Sequence, residues 1–153
     1  MKTIALFALL LVPALSQGQH FISGTDTTDI LATYKTKNFS ITDPVQGDNL
    51  MGHIWEVGRE FTITKVVTVL QGSSSQSVTW SLKHHTNRSS ATPFELVNNG
   101  STTTSTTIGN TISSFNNAVV GPNEFIWITI SATAGVVDAI HFTIYYHHTM
   151  IPQ

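Results

Sequence analysis

Alternating apolar and polar residues, rather than helical periodicity, organise most of this chain. In SVTWSLKHH, the apolar residues Val78, Trp80 and Leu82 alternate with polar ones, the pattern of an antiparallel strand with one buried face. FTITKVVTVL (61–70) predicts a longer strand and MGHIWEV (51–57) a shorter one. Clusters of Gly, Asn, Ser and Pro separate these segments, as expected for turns between strands.

The longer strand is expected to bury one face and to leave the other, mostly threonine, at the surface. The apolar residues expected on one face are Phe61, Ile63, Val67 and Val69. Further along, ten of the fourteen residues in STTTSTTIGNTISS (101–114) are Ser or Thr, which predicts a solvated edge strand with a loop.

Strands of this kind, with turns every ~8–12 residues and no helix, predict an all-β fold of the antiparallel β-sandwich or jelly-roll type. The chain of 153 residues is expected to divide into three parts. A hydrophobic signal-like segment occupies 1–18, an extended N-terminal arm or edge strands occupy 19–50, and the β-sandwich domain occupies 51–153.

The first residues have the layout of a secretory signal peptide. Lys2 precedes an apolar run at 4–12, and the small residues Ala14, Ser16 and Gly18 follow it, so cleavage is expected after Ser16 or Gly18. The run is too short to span a membrane, which takes ~20 apolar residues. We therefore expect a secreted, extracellular or virion-surface protein without a membrane span. An uncleaved anchor or an N-terminal core strand is the alternative.

Charged residues are few. They make up 10% of the chain, against about 25% in an ordinary soluble domain. Removal of residues 1–18 would leave six Lys and Arg against nine Asp and Glu, a net charge of about −3. A nucleic-acid partner is not expected, because it would require a clustered basic face. A surface of Ser, Thr and Asn is what we expect of a protein that assembles or lies outside the cell.

The chain has no cysteine, which excludes thiol catalysis, Cys-ligated zinc and iron–sulfur chemistry. A secreted domain of this size can fold without disulfides because its core is large enough. Three Asn-x-Ser triplets, at Asn38, Asn87 and Asn99, are candidate N-glycosylation sites in a host that has the machinery.

Side chains capable of catalysis show no recognisable arrangement. Nine carboxylates are scattered singly, and no Gly-x-Ser-x-Gly elbow occurs. The histidine pairs 84–85 and 147–148 are sequence neighbours, which point to opposite faces of a strand. A metal site would need histidines from different strands or subunits. We therefore expect no enzyme activity, no cofactor, and no catalytic, cofactor-binding or metal-binding residues.

The segment 124–148 is apolar on two faces and gives the best indication of function. It predicts a hairpin whose two strands direct alternate residues to the core. These core residues are Ile126, Ile128, Ile130, Ile140, Phe142, Ile144 and Tyr146. The candidate interface or ligand face consists of residues at the opposite positions, namely Phe125, Trp127, His141, Tyr145 and His147.

Three arrangements would cover the aromatic residues Phe125, Trp127 and Tyr145. A central strand can be buried on both faces within one chain. An aromatic face can bind a sugar ring by stacking. A neighbouring subunit can also cover it, because a large exposed apolar patch usually marks an interface.

From about Trp55 to Tyr146, the chain resembles the small β-sandwich virion proteins of tailed phages, of the head-decoration and fibre types. The likeness lies in the order of elements: FTITKVVTVL is similar to their first core strand, and SVTWSLKHHTNRSS to the following strand and polar turn. VVGPNEFIWITISATAGVVDAIHFTIYY is similar to their closing hairpin. The resemblance implies a non-enzymatic, trimeric virion surface subunit that touches a host glycan. The signal-like N terminus departs from the pattern, because phage virion proteins normally assemble without export.

We therefore expect a non-enzymatic structural subunit that self-assembles and displays a surface. The expected partners are further copies of the chain, with a trimer favoured, and other virion proteins or surface glycans. The alternative is a secreted carbohydrate-binding β-sandwich module. In that case the same aromatic residues stay exposed on a monomer.

Overall fold

The computed structural model describes residues 34–56, 58–73 and 75–148. The signal-like segment and residues 19–33 of the predicted arm lie outside the described residues. Regular structure within these ranges consists of ten strands and no helix. The strands are β1 (Tyr34–Thr42), β2 (Asn49–Ile54), β3 (Phe61–Gly72), β4 (Ser77–His85), β5 (Phe94–Glu95), β6 (Ser101–Thr103), β7 (Asn110–Ile112), β8 (Val119–Val120), β9 (Phe125–Ala134) and β10 (Val137–His148).

The strands form two antiparallel sheets that pack face to face. In the first sheet the order is β1-β10-β3-β7, and β8 also pairs with β3. In the second sheet the order is β2-β9-β4-β5, and β6 also pairs with β4. The predicted antiparallel β-sandwich is confirmed, and the chain passes repeatedly from one sheet to the other, as in a jelly roll.

The prediction that 124–148 is a hairpin is wrong. β9 pairs with β2 and β4, whereas β10 pairs with β1 and β3, so the two strands belong to different sheets. The corner between them turns at Gly135, which has φ +72°. A β-carbon there would lie 2.7 Å from the carbonyl oxygen of Ser75. Only glycine therefore suits this corner, where β9–β10 packs against the β3–β4 connection.

Inward-facing residues of both sheets form one core. The rows predicted on β4, β9 and β10 are confirmed, because each member is at most 2% exposed. The ring of Phe142 lies 5.0 Å, centroid to centroid, from Phe39 on β1. The centroid of the Phe142 ring also lies 5.0 Å from that of Trp80 on β4, and these two rings meet edge to face. Aromatic contacts of this kind join the two sheets.

The predicted face of β3 is only half correct. Phe61 and Ile63 are buried, but Val67 and Val69 are only half-buried. The buried residues in this part of the strand are Val66, Thr68 and Leu70. Between Tyr145 and Tyr146 of β10 the register shifts by an extra residue in β3. Such a bulge reverses the inward and outward positions of every residue that follows.

The region predicted as an arm or edge strands contains β1 and the start of β2. β1 pairs with β10 along its whole length, from Tyr34 opposite His147 to Thr42 opposite Ala139. β2 begins at Asn49, two residues before the predicted start of the sandwich. Residues from this part of the chain, Ile41 and Phe39, pack in or against the core.

Candidate functional site

The structure divides the predicted interface face between two surfaces. Phe125 and Trp127 lie on the outer face of the second sheet, where Trp127 is opposite Lys83 of β4. His141, Tyr145 and His147 lie on the outer face of the first sheet. The two sheets are packed together through their inner faces, so these five residues do not form one continuous surface.

Each of these residues is at least partly covered. Trp127 is only 5% exposed, and the other four are half-buried. On the first sheet, His141 Nδ1 lies 2.6 Å from the Ser40 hydroxyl, and the Lys65 ammonium lies 3.9 Å from the centre of the Tyr145 ring. The large apolar side chains that are exposed among the described residues are others: Tyr34, Val45, Phe94, Ile108, Val119 and Val136.

The three candidate glycosylation sites are all exposed. Asn38 is on β1, and Asn99 has the left-handed φ of +65°. The Oδ1 atom of Asn87 accepts a hydrogen bond from the backbone N–H of Ser89 at 3.0 Å. Glycosylation itself stays a prediction.

A cleft of about 420 Å³ lies where β1 and β2 form the edges of the two sheets. We call this side of the sandwich the open side. Lys37 and Phe39 of β1 form one wall of the cleft. Leu50 of β2 and Trp55, which directly follows β2, form the other. Inward-facing core residues lie at its base, namely Leu82, Ile126 and Ile128. These three residues are at most 2% exposed, so the cleft extends down to the core without exposing it.

The edges of the sandwich differ in length. On the side away from β1 and β2, the strands β5, β6, β7 and β8 have two or three residues each. β1 has nine residues, and its exposed positions, which include Thr36, Asn38 and Ser40, carry no charge. Short strands protect a sheet edge from pairing with other chains, whereas a long edge invites it. Lys35 and Lys37, on the opposite face of β1, are the charged residues that limit such pairing.

A polar cluster closes one end of the open side. Glu56 Oε1 accepts hydrogen bonds from the Lys35 ammonium at 3.1 Å and from the Tyr146 hydroxyl at 3.0 Å. His148 Nε2 lies 3.4 Å from the same oxygen. Burial by itself would raise the pKa of Glu56, but these hydrogen bonds and the charges of Lys35 and His148 outweigh it and lower that pKa. Burial, together with the bonded carboxylate, raises the pKa of Tyr146 to about 12.

We expect the cluster to make stability depend on pH at both ends of the scale. The pKa of Glu56 is lower in the folded chain than its ordinary value of 4.5. Its contribution to the free energy of unfolding is therefore complete above pH 4.5 and is lost as the pH falls through the folded pKa. The contribution of Tyr146 to the free energy of unfolding is complete below its ordinary pKa of 10.0 and is lost as the pH rises through about 12.

Urea denaturation of the wild type and of Glu56→Gln, from about pH 2 to pH 7, measures the acid side. The difference in unfolding free energy between the two proteins should be largest near neutrality and should shrink below pH 4.5, the ordinary pKa of the carboxyl. Two curves that stay parallel over this range would show that Glu56 does not carry the dependence.

A second, smaller pocket of about 310 Å³ lies near β5 and β8. We call it the Phe94 pocket, after the exposed aromatic residue on β5 that lines it. Glu60, Asn116, Val119 and Glu124 are among its other lining residues. Its position is at the end of the sandwich where β4 finishes and β9 begins.

A buried histidine and carboxylate lie beside this pocket. His84 is 4% exposed; its Nδ1 lies 2.7 Å from Glu124 Oε2, and its Nε2 lies 3.1 Å from the carbonyl oxygen of Asn117. The carbonyl can only accept, so Nε2 carries a proton. The arrangement is a buried histidine–carboxylate pair, and the Gly121 N–H also donates to Glu124 Oε2, at 2.9 Å.

This pair is arranged for structure rather than for proton transfer. Both ring nitrogens of His84 have partners within the chain, so neither is open to a substrate. For His84, the sequence predicted only a strand position facing away from that of His85. A signal for its burial was present, because His84 continues the alternation of Val78, Trp80 and Leu82. No sequence pattern indicated a site at Phe94, because its strand has only two residues and therefore shows no alternation.

Comparison of the chain with protein-family models and with curated proteins found no match to either. Among the described residues, no group of three or more His, Asp or Glu side chains is placed to share a metal ion. The part of the chain covered by the structure contains no helix long and apolar enough to cross a membrane.

Proposed function

We propose that this chain is a non-enzymatic structural subunit that associates with further copies of itself through the open side and displays its remaining surface. The observation that carries the proposal is the asymmetry of the edges. The short strands β5 to β8 protect one side, whereas the open side combines a nine-residue edge strand with a cleft that reaches the core. A second chain that covers the open side removes apolar surface from water, which is favourable.

The composition of the open side favours another copy of this chain as the partner. Pairing along β1 needs neighbours with little mutual repulsion, and the exposed positions of β1 are Tyr, Thr, Asn and Ser. Only 10% of the whole chain is charged. A closed ring covers the open side of every subunit and leaves no free edge, so we favour a trimer. The similar order of elements in phage head-decoration and fibre-type proteins supports a place on a virion or in another extracellular assembly.

The test places a charge on the open side. Asn38 is exposed and lines the cleft, so Asn38→Lys places a positive charge on the uncharged exposed face of β1 in every subunit. We expect the dissociation constant of the assembly to rise tenfold or more, which corresponds to about 1.4 kcal/mol. Static light scattering over a concentration series measures it. Expression in a bacterial host without glycosylation keeps the loss of the sequon from affecting the result.

Asn98→Lys is the matched control, because Asn98 is also exposed but lies in the loop between β5 and β6, away from the open side. It should associate as the wild type does. A wild type that stays monomeric at all concentrations would refute the proposed function. Equal association of the two variants would show that subunits do not meet at the open side.

A further inference from the structure

The Phe94 pocket places two exposed apolar side chains beside polar ones. Phe94 is 48% exposed and Val119 is 50% exposed, and both line the pocket. The two adjacent histidines of β4 hold the Phe94 ring. Its centroid lies 5.4 Å from that of His84 and 5.8 Å from that of His85, with interplanar angles of 30° and 28°. The ring is therefore oriented by the protein while about half of its surface stays accessible.

The polar groups around the pocket are carboxylates and amides. Glu124 has its Oε2 atom engaged with His84 and with Gly121 N–H, which fixes the direction of the carboxylate. Asn116 accepts a bond from the Asn98 N–H through Oδ1 at 3.1 Å, so its amide nitrogen is the end free to donate. No lysine or arginine is among the lining residues. The ionisable lining residues are Glu60, His84 and Glu124, so no lysine or arginine is placed to pair with a negatively charged ligand, and such a ligand is disfavoured there.

We propose that the Phe94 pocket binds one ring of a neutral sugar. One face of a pyranose is apolar and packs on an aromatic ring, while its hydroxyl groups both donate and accept hydrogen bonds. Phe94 supplies the stacking surface, Glu124 accepts from a hydroxyl, and the Asn116 amide donates to another. The volume of about 310 Å³ lies at the small end of the range for ligand pockets, as suits a single ring.

This site differs from the glycan-binding face expected from the sequence, which consisted of Phe125, Trp127 and Tyr145. The site also does not depend on self-association, because it lies on the side of the sandwich away from β1 and β2. In an assembly joined through the open sides, the Phe94 pockets stay at the exposed surface of each subunit.

Saturation-transfer NMR with free sugars tests the proposal. The probes are D-glucose, D-galactose and N-acetyl-D-glucosamine at millimolar concentration, with D-glucuronate as the charged comparison. We expect transfer to the ring protons of at least one neutral sugar and weaker transfer to glucuronate. Phe94→Ala should weaken the binding by about two- to tenfold, the size of a typical aromatic contact.

Ile108→Ala is the control, because Ile108 is also an exposed apolar residue, at 90%, but lies between β6 and β7 and does not line the pocket; it should bind as the wild type does. Phe94→Trp keeps a stacking surface and should keep binding. A far-ultraviolet circular dichroism spectrum confirms the fold of each variant. The proposal is overturned if no neutral sugar receives saturation, if glucuronate binds as well as the neutral sugars, or if Phe94→Ala binds like the wild type. Loss of self-association in Phe94→Ala without any sugar binding would assign the pocket to a protein contact instead.

Discussion

Replacement of Trp80 by alanine should lower the free energy of unfolding by about 3–5 kcal/mol, the largest effect expected of any single change in this protein. Trp80 is 1% exposed and lies edge to face with Phe142 of the other sheet. Its Nε1–H donates to the hydroxyl of Thr103 at 2.9 Å. That hydroxyl lies 2.6 Å from the hydroxyl of Thr68. Truncation therefore leaves a cavity between the sheets and removes the donor to a buried oxygen.

Urea denaturation measures the loss, and two smaller changes separate packing from hydrogen bonding. Trp80→Phe keeps most of the ring and removes the donor. Thr103→Val keeps the shape and leaves the indole N–H without a partner, which should cost about 1–3 kcal/mol. The double variant should cost less than the sum of the two, because each removes one half of the same bond. Strict additivity would show that the bond contributes nothing.

Breaking the buried His84–Glu124 pair should have the second largest effect. Glu124→Ala removes the partner of His84, whose side chain is 5% exposed, and a buried polar group left without its partner typically costs about 1–3 kcal/mol, more if it is charged. The Gly121 N–H loses its acceptor in the same variant. Denaturation of Glu124→Ala, His84→Leu and the double variant gives the coupling energy, which we expect to exceed 1 kcal/mol.

The comparison for this cycle is Glu95→Ala. Glu95 pairs with Lys83 at 3.0 Å, also within hydrogen-bond distance, but the two side chains are 29% and 22% exposed. Because solvent screens this pair, its loss should cost less than about 1 kcal/mol. Equal losses in Glu124→Ala and Glu95→Ala would contradict the view that burial makes the His84–Glu124 pair important.

Local alternation was sufficient to predict most of the strands. β4 lies at the predicted residues 77–85, and the inward rows of β9 and β10 are confirmed. These segments are regular and bury one face, so residue type and position agree along their length. The polar region 101–114 likewise contains the short strands β6 and β7, with a loop between them.

The predictions that failed concern features that the local pattern does not encode. The residues of β3 after Ile63 change face because of a bulge, whose position depends on the partner strand β10. β9 and β10 have the pattern of a hairpin, yet each pairs with strands far away in the sequence. Alternation shows which residues face the core, but it does not show which strand lies alongside.

The candidate sites were harder to predict than the fold because they are assembled from separate parts of the chain. The Phe94 pocket joins residues from β4, β5, β8 and the turn before β9. The cleft of the open side depends on β1 and β2 being edge strands of different sheets. The sequence did show that Trp127 and Tyr145 occupy second-face positions, but their degree of exposure is set by neighbours that the pattern does not identify.

The position of β10 between β1 and β3 determines when the first sheet can form during synthesis. β10 comes last among the described strands, and β1 has no other partner among them. More than ninety residues separate the end of β1 from the start of β10, so β1 stays unpaired while they are synthesised. Contacts this distant in sequence slow folding. The first sheet therefore cannot close until β10 has emerged from the ribosome.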